Sequence, residues 1–256
     1  MVNATFSVDD GVARIEIQRP EALNAMDMPT KLAIIDRVRK YADDDEVRVV
    51  LFESEGDRAF CAGGDLGEVV EHDYALAPFT DSWKELFRAM WRLGKPTVAK
   101  IDGYTLGGGF DLMLHTDLPI AADDAVIGQP EASLGIVNHF SPPLLRETVG
   151  LKKTMDLMLT GETITGAEAV EMGLVSRSVP RAELDAEVES VLASLTAKSP
   201  RVLRKLKDGI YGTLDASPTA AREHLEAVAL ESARTDPDYQ EGVDAQLADR
   251  DPDWSV

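Results

Sequence analysis

Two glycine-rich segments are the clearest indication of chemistry in this sequence. One is CAGGD at positions 61–65 and the other is LGGGFD at positions 106–111, and each follows an apolar run that predicts a buried strand. Consecutive glycines at a helix start cost backbone entropy, which favours sites where a ligand approaches the main chain closely. If both segments faced one point, their unpaired N–H groups would form an oxyanion hole.

A purely structural explanation exists for either segment taken alone, namely a tight turn with positive φ or close helix–strand packing. Neither segment is a phosphate cradle, because no G-x-G-x-x-G pattern is present and no G-K-S or G-K-T follows the glycines. Cys61, the only cysteine, is expected to be a small packed residue. His72, His115 and His224 lack metal-ligand spacing, so no metal site is predicted.

Predicted strands and helices alternate along the first part of the chain, which contains both glycine segments. Helices dominate the last part. The pattern predicts a hairpin over 4–18, strands over 47–53, 96–101, 118–122 and 125–128, a glycine-containing loop over 56–68, and helices over 28–41, 79–93 and 110–115. Beyond Ser141 it predicts almost only helices, over 142–149, 152–159, 166–172, 181–197, 200–211, 218–234 and 237–247. This order indicates an α/β core over 1–195 and a helical C-terminal region over 196–256.

The charge balance restricts the partners of the chain. Its 256 residues include 46 acidic and 26 basic ones, for a formal net charge of −20, which would repel nucleic acid and anionic membranes. Because the acidity is spread along the chain, we hypothesise a protein adapted to high salt; the alternative is an ordinary acidic protein. With neither a signal-peptide pattern nor an apolar run of membrane-spanning length, the sequence predicts a cytoplasmic protein.

The order of several motifs resembles the enoyl-CoA hydratase/isomerase (crotonase) family. The resemblance covers about residues 5–210 and includes both glycine segments together with RP at 19–20, LNA at 23–25, GQPE at 128–131, LGI at 134–136, LTG at 159–161 and MGLV at 172–175. It implies a repeated ββα spiral core, a helical C-terminal trimerisation region, and a homotrimer or dimer of trimers.

The resemblance also assigns binding roles. The oxyanion donors would be the N–H groups of Gly64 and Gly108, and the substrate would be a coenzyme A thioester, with no bound cofactor or metal. Main-chain groups near Ala25, Ala62 and Leu66 match those that contact coenzyme A in the family. Lys207 matches a lysine that could meet a CoA phosphate, although a solvated surface lysine is an equal alternative.

The reaction depends on three side chains. Glu131 matches one of the two catalytic glutamates of hydratases, whereas Asp111 stands where they have the other. His139 stands where hydratases have a glycine after a proline and dienoyl-CoA isomerases an aspartate, so it is either a proton shuttle or a structural loop residue. Three functions stay open: an enoyl-CoA hydratase, an isomerase or thioester hydrolase of the same family, and a non-catalytic CoA-binding protein.

Overall fold

A six-stranded sheet forms the larger of two layers. The computed structural model describes residues 1–71, 73 and 76–254, without the side chains at positions 76, 78 and 79. In order of pairing, the strands are β1 (Ala4–Asp9), β2 (Val12–Ile17), β3 (Val49–Ser54), β5 (Thr97–Ile101), β7 (Leu118–Ala122) and β10 (Arg177–Val179). The first two strands form the predicted antiparallel hairpin, and all other neighbours are parallel.

A second sheet has four short strands, in the order β4 (Ala59–Cys61), β6 (Tyr104–Leu106), β8 (Val126–Gly128) and β9 (Thr163–Thr165). Strands β4, β6 and β8 are parallel, and β9 is antiparallel to β8. From β3 to β8, the chain three times contributes one strand to the larger sheet and one to the smaller sheet before a helical segment follows. This alternation is the predicted ββα spiral.

Ten α-helices lie among the described residues. They are α1 (Met28–Ala42), α2 (Leu66–Glu71), α3 (Leu76–Arg92), α4 (Gly108–Leu114), α5 (Ser141–Thr160), α6 (Gly166–Glu171), α7 (Leu184–Thr196), α8 (Pro200–Tyr211), α9 (Pro218–Thr235) and α10 (Pro237–Leu247). Helix α5 contains a non-helical Gly150 with φ 77° and ψ 163°, so it consists of the two predicted helices joined at a kink.

The core lies around the parallel strands of the larger sheet. Residues 49–52 of β3 are all fully buried, which explains why this strand is a continuous apolar run rather than an alternating one. Helix α1 packs against α3, with Ile34 and Val38 buried. Trp83 of α3 is 2% exposed, and its buried position becomes important at the site.

The structure adds short strands to the pattern that the sequence predicts. Strand β4 lies within the predicted loop 56–68, and β9 and β10 interrupt a region that was expected to be almost wholly helical. Helix α7 ends at Thr196, but the division of the chain at residue 195 stays a prediction. Among the described residues, no helix is both long enough and apolar enough to cross a membrane.

Candidate active site

Three loops that leave neighbouring parallel strands in the same direction create the site. Strands β4, β6 and β8 pair in this order, with Cys61 opposite Thr105 and Leu106 opposite Gly128. The carboxyl ends of parallel strands share one edge, so the segments that follow them lie side by side. These segments are the Gly63–Gly64 turn, the glycine start of α4, and the 3₁₀ turn Pro130–Leu134 that carries Glu131.

The two glycine segments are in close contact. A Cβ atom built on Gly63 would lie 3.3 Å from the backbone nitrogen of Gly108. A parallel bridge between Met26 and Gly64 fixes the first turn, and it uses the N–H groups of Met26 and Asp65. In the part of the chain that the structure describes, the N–H groups of Gly64 and Gly108 have no backbone acceptor, so both are available to a ligand.

Each of the three consecutive glycines satisfies a different constraint. Gly107 has φ 55° and ψ −122°, and a Cβ there would lie 2.9 Å from Oε1 of Glu131. A Cβ on Gly108 would lie 2.4 Å from the ring of Trp83, and one on Gly109 would lie 2.0 Å from the carbonyl oxygen of Cys61. The structural reasons for glycine therefore apply here together with the exposure of N–H groups.

A cavity of about 130 Å³ opens between these segments. Its wall brings together five of the predicted catalytic positions and two of the predicted CoA-contact positions. The lining residues are Ala62, Gly63, Gly64, Leu66, Thr80, Trp83, Gly107, Gly108, Asp111, Pro130, Glu131, Leu134, Ile136, Val137, Asn138, His139 and Phe140. Helix α3 contributes Thr80 and Trp83 to this wall, whereas the side chain of Phe79 lies outside the described residues.

Asp111 lies one helical turn into α4 and is 2% exposed. Its Oδ1 accepts hydrogen bonds from Nε2 of Gln129 at 3.0 Å and from the hydroxyl of Ser141, and its Oδ2 accepts from Nδ2 of Asn138 at 2.9 Å. Burial raises the pKa of Asp111 to about 7, against the opposing effect of these donors. Both oxygens of Asp111 are thus occupied by protein donors.

Glu131 has a different environment. Its Oε1 accepts a hydrogen bond from Nδ2 of Asn138 at 3.3 Å, and burial raises its pKa. Among the described residues, none donates a hydrogen bond to its other oxygen, Oε2, although that atom is buried. A buried carboxylate oxygen without a protein partner beside a cavity is positioned to exchange a proton with a ligand.

A family model described as enoyl-CoA hydratase/isomerase matches residues 7–256 of this chain. The chain belongs to the enoyl-CoA hydratase/isomerase family. It is 32% identical over 248 residues to a probable enoyl-CoA hydratase of Mycobacterium bovis, covering 96% of this chain and 95% of that one. A probable enoyl-CoA hydratase of Mycobacterium leprae is 32% identical over 254 residues, with 96% of each chain covered.

Solved structures of this family have the same fold. The enoyl-CoA hydratase of Mycobacterium smegmatis superposes with a TM-score of 0.92 at 27% identity over 100% of both chains. An enoyl-CoA hydratase of Geobacillus kaustophilus superposes with a TM-score of 0.91 at 26% identity, covering 100% of this chain and 97% of that one. The predicted crotonase fold is confirmed, and the chain is an enzyme of the enoyl-CoA hydratase/isomerase family.

Sequence reasoning missed three polar residues of the site, namely Gln129, Asn138 and Ser141. All three donate hydrogen bonds to Asp111. A signal was available for Asn138, because it stands where the resemblance leads one to expect a proline and it directly precedes His139. A proline has no side-chain donor, so this departure from the family pattern adds hydrogen-bonding capacity at the site.

His139 lies at the cavity but is exposed. Its ring centroid is 4.0 Å from that of Phe140, and no described hydrogen bond joins it to Asp111 or Glu131. The proton-shuttle role of His139 therefore stays a prediction. Both rings also line a second cavity of about 220 Å³, so they form part of the wall between the two spaces.

The predicted CoA contacts occupy two regions. Ala62 and Leu66 line the cavity, while Ala25 directly precedes Met26, the residue bridged to Gly64. Lys207 does not line this cavity: it is 8% exposed, and its Nζ donates to Oδ2 of Asp117 at 2.8 Å. Its predicted contact with a CoA phosphate stays a prediction, but its ammonium is buried in an ion pair rather than solvated at the surface.

Two of the remaining candidates, Cys61 and His115, are buried. Burial raises the pKa of the Cys61 thiol to about 12, which disfavours a thiolate nucleophile and agrees with a packed role. His115 is buried against the ring of Phe87 at 4.0 Å, and His224 is exposed, whereas His72 lies outside the described residues. Within the described ranges, no group of three His, Cys, Asp or Glu side chains could hold a metal ion.

Proposed function

We propose that this enzyme adds water to the double bond of a 2-enoyl-CoA thioester. The supporting observation is that Gly64 and Gly108, whose N–H groups have no described backbone acceptor, line one cavity together with Glu131. Two donors aimed at a thioester oxygen stabilise the negative charge of an enolate more than the neutral carbonyl. The relatives named as probable enoyl-CoA hydratases support the same reaction.

In the proposed mechanism, water loses one proton to the carboxylate of Glu131 as its oxygen bonds to Cβ of the substrate. The electron pair of the double bond moves to give an enolate, whose oxygen accepts hydrogen bonds from Gly64 and Gly108. Glu131 then gives this proton to Cα, the thioester carbonyl is restored, and the carboxylate returns to its ionised form. The net change is the addition of one water molecule, and no electrons are gained or lost.

Asp111 has a supporting part in this proposal. With a pKa raised to about 7 by burial, its carboxyl group would exchange a proton near neutral pH. Because both of its oxygens accept hydrogen bonds, one of these bonds must open before the carboxyl group reaches a substrate. We therefore assign the direct proton transfer to Glu131. Asp111 is assigned a different role, the control of the charge beside Glu131.

Isomerisation is the second candidate. It is favoured because both oxygens of Asp111 already accept hydrogen bonds from the protein. Moving a double bond requires one base to remove a proton at one carbon and return it at another, and Glu131 alone could do this. Hydration additionally requires a water molecule to be held against Cβ. A hydrolase or a non-catalytic CoA-binding role has no comparable support from the site.

The acyl group is proposed to be short. A closed apolar cavity of about 150 Å³ accommodates benzene, so about 130 Å³ would hold an acyl chain of a few carbons. We further propose that Ala25, Ala62 and Leu66 contact the CoA portion and that no bound cofactor is needed. The cytoplasmic location also remains a proposal.

A homotrimer or dimer of trimers is proposed from two exposed apolar ridges. Leu206 and Ile210 on α8 are 49% and 56% exposed, and Leu151 and Leu159 on α5 are 57% and 67% exposed. Leucine and isoleucine spaced four residues apart lie on one face of a helix, and such patches commonly mark interfaces between subunits. The mass of the protein in solution, measured by light scattering, tests this assembly.

One experiment distinguishes the two reactions. Purified enzyme is mixed in high salt with crotonyl-CoA, and the loss of enoyl absorbance is followed. Hydration predicts loss of absorbance and formation of 3-hydroxybutyryl-CoA. Isomerisation predicts no loss with this substrate but conversion of a 3-enoyl-CoA into a 2-enoyl-CoA. If neither substrate reacts although a CoA thioester binds, the proposed function is wrong.

A further inference from the structure

The side-chain amide of Asn138 lies between the two carboxylates of the site. Its Nδ2 is 2.9 Å from Oδ2 of Asp111 and 3.3 Å from Oε1 of Glu131. Asp111 belongs to α4 and Glu131 to the 3₁₀ turn after β8, so the amide joins two separate elements. Among the described hydrogen bonds, no other side chain donates to both acids.

Backbone contacts determine which way this amide faces. Oδ1 of Asn138 accepts hydrogen bonds from the N–H of Phe140 at 2.9 Å and from the N–H of Ser141 at 3.1 Å, at the start of α5. A backbone N–H can only donate, so the amide oxygen must lie on that side. The NH₂ group must then point toward the carboxylates.

The same amide leaves the two acids in unequal states. Asp111 has donors on both oxygens, whereas Glu131 has the Asn138 donor on Oε1 and no described donor on Oε2. Holding one oxygen of a carboxylate restricts the rotation of the whole group. A neutral donor also stabilises the negative charge of each acid without adding a positive charge.

We propose that Asn138 is a positioning residue that holds the carboxylate of Glu131 at the cavity wall and stabilises the ionised forms of Glu131 and Asp111 together. This proposal builds on the proposed function, because it assigns Glu131 as the group that exchanges the proton. Hydrogen bonds from Asn138 lower the pKa of both carboxyl groups, against the larger raising effect of burial. Removal of the donor should therefore raise the pKa of both.

The other charged groups around the pair do not replace this amide. No lysine or arginine is among the described residues that line the cavity. Nδ1 of His115 donates to the backbone carbonyl of Asp111 at 2.8 Å, and burial lowers the pKa of His115 to about 4, so it is neutral at working pH. His139 is exposed at the cavity, and Lys31 lies behind Trp83 and pairs with Glu68 at 3.6 Å.

Two variants separate the donor from the rest of the side chain. Asn138→Asp retains an oxygen that can accept from Phe140 and Ser141, but it replaces the NH₂ group with a second, charged acceptor. Asn138→Ser retains a hydroxyl able to accept from the start of α5 and is too short to reach Glu131. We expect the acid limb of the pH–kcat profile to move up by about one pH unit in the serine variant and further in the aspartate variant.

We also expect kcat at pH 7 to fall by up to about 10-fold in the serine variant and further in the aspartate variant, with KM changed less than about threefold, because the donor acts on protonation and not on CoA binding. A merely structural role for Asn138 would lower the melting temperature and leave the pH profile in place. That outcome in the folded serine variant would overturn the proposal.

An activity-independent measurement keeps this test separate from the proposed function. Infrared titration of the carboxyl bands, assigned with Asp111→Asn and Glu131→Gln, reports the pKa of each acid without substrate. If the wild-type enzyme does not act on enoyl-CoA but both acids titrate higher in the Asn138 variants, the proposed function is wrong and the role of Asn138 in charge stabilisation stands. Unchanged titrations in folded variants contradict the Asn138 proposal.

Discussion

Nζ of Lys207 lies 2.8 Å from Oδ2 of Asp117, and this buried ion pair attaches helix α8 to the core. The same carboxylate accepts from the hydroxyl of Tyr211 at 2.8 Å and from the backbone N–H of Thr97 at 2.7 Å. Burial is the first cause that raises the pKa of Tyr211, and the neighbouring Asp117 adds to it. One carboxylate therefore links two side chains of α8, Lys207 and Tyr211, to the backbone of β5 at Thr97.

The first prediction concerns Lys207→Met. Removing one partner of a buried ion pair leaves the other charge unpaired, so we expect a loss of about 3–5 kcal/mol in the free energy of unfolding, measured with urea. KM for an acyl-CoA substrate should change little. A large rise in KM with unchanged stability would instead indicate that Lys207 binds a CoA phosphate.

Lys205→Met provides the matched control on the same helix. Lys205 donates to Asp236 at 2.8 Å, but its side chain is 37% exposed. A partly exposed pair contributes about 1 kcal/mol or less. A comparable loss of stability in both variants would show that burial of the Lys207 pair is not decisive.

The second prediction is that Glu131→Gln lowers kcat by roughly 100-fold or more while CoA-thioester binding is retained. Glutamine keeps the size and an acceptor oxygen but cannot accept a proton from water. Binding measured by calorimetry serves as the control for correct folding. Near-wild-type turnover would remove Glu131 from the mechanism and leave Asp111 as the acid or base.

The third prediction follows from the raised pKa of Asp111, which is about 7 in the folded protein because of burial. In the unfolded chain, this pKa returns to its ordinary value near 4. As the pH rises, the unfolded chain therefore loses the proton of Asp111 near pH 4, whereas the folded protein keeps it until about pH 7. The contribution of Asp111 to stability is thus complete below pH 4 and is lost as the pH rises through 7. We expect turnover to fall in Asp111→Asn, because the site loses a titrating group.

Urea unfolding of wild type and Asp111→Asn between pH 4 and pH 8 checks the linkage. The free energy of unfolding of Asp111→Asn should rise relative to that of wild type as the pH increases, whatever the difference between the two proteins is at pH 4. Comparing the two proteins at each pH cancels the titration of all distant groups. A difference that is constant over this range would mean that Asp111 is not protonated in the folded enzyme.

Longer elements were predictable because each contains a full hydrophobic period. Helices α8 and α10 begin at Pro200 and Pro237, where the proline at the first helical position marked their start. Strands β4, β6 and β9 have three residues each, which is too short for an alternating pattern. These strands form because they pair in the second sheet, β4 with β6 and β9 with β8.

Only those parts of the site that belong to short sequence motifs could be predicted. The sequence indicated Glu131 and the two glycine segments, but it did not indicate that Ser141 and Asn138 surround Asp111. Those residues are 30 and 27 positions away from Asp111 along the chain and meet it only because α5 begins beside α4. Contacts of this kind depend on the arrangement of whole elements, which local patterns do not contain.

The fourth prediction concerns the wall between the two cavities. The ring of Phe140 packs edge-on against Phe87 at 5.4 Å and lines both spaces, of about 130 and 220 Å³. Phe140→Ala should join them and admit a longer acyl chain. Because each buried methylene contributes about 0.8 kcal/mol, we expect kcat/KM for an eight-carbon enoyl-CoA to rise about 10-fold or more relative to crotonyl-CoA.

Leu134→Ala is the control for this change. Leu134 lines the first cavity, but it is 56% exposed and does not line the second. Shortening it enlarges the mouth of the cavity without opening a new space. An equal change of chain-length preference in both variants would indicate that acyl length is limited at the mouth and not at Phe140.

The fifth prediction tests the hypothesis of adaptation to high salt. At a net charge of −20, the folded chain repels itself, and added salt screens this repulsion. We expect the free energy of unfolding, measured with uncharged urea, to rise as potassium chloride is increased from about 0.1 M to above 1 M, where the Debye length is about 3 Å. Stability that does not rise with salt would contradict the hypothesis.

A charge variant separates screening from other salt effects. Asp45 and Glu46 are exposed, in an acidic run that follows α1. Replacing both with lysine lowers the negative charge by four units, because each exchange removes one negative and adds one positive charge. If self-repulsion limits stability, this variant should be more stable than wild type at low salt, and the difference should shrink as salt is added. A difference that is independent of salt would assign the effect to local contacts and not to the overall charge.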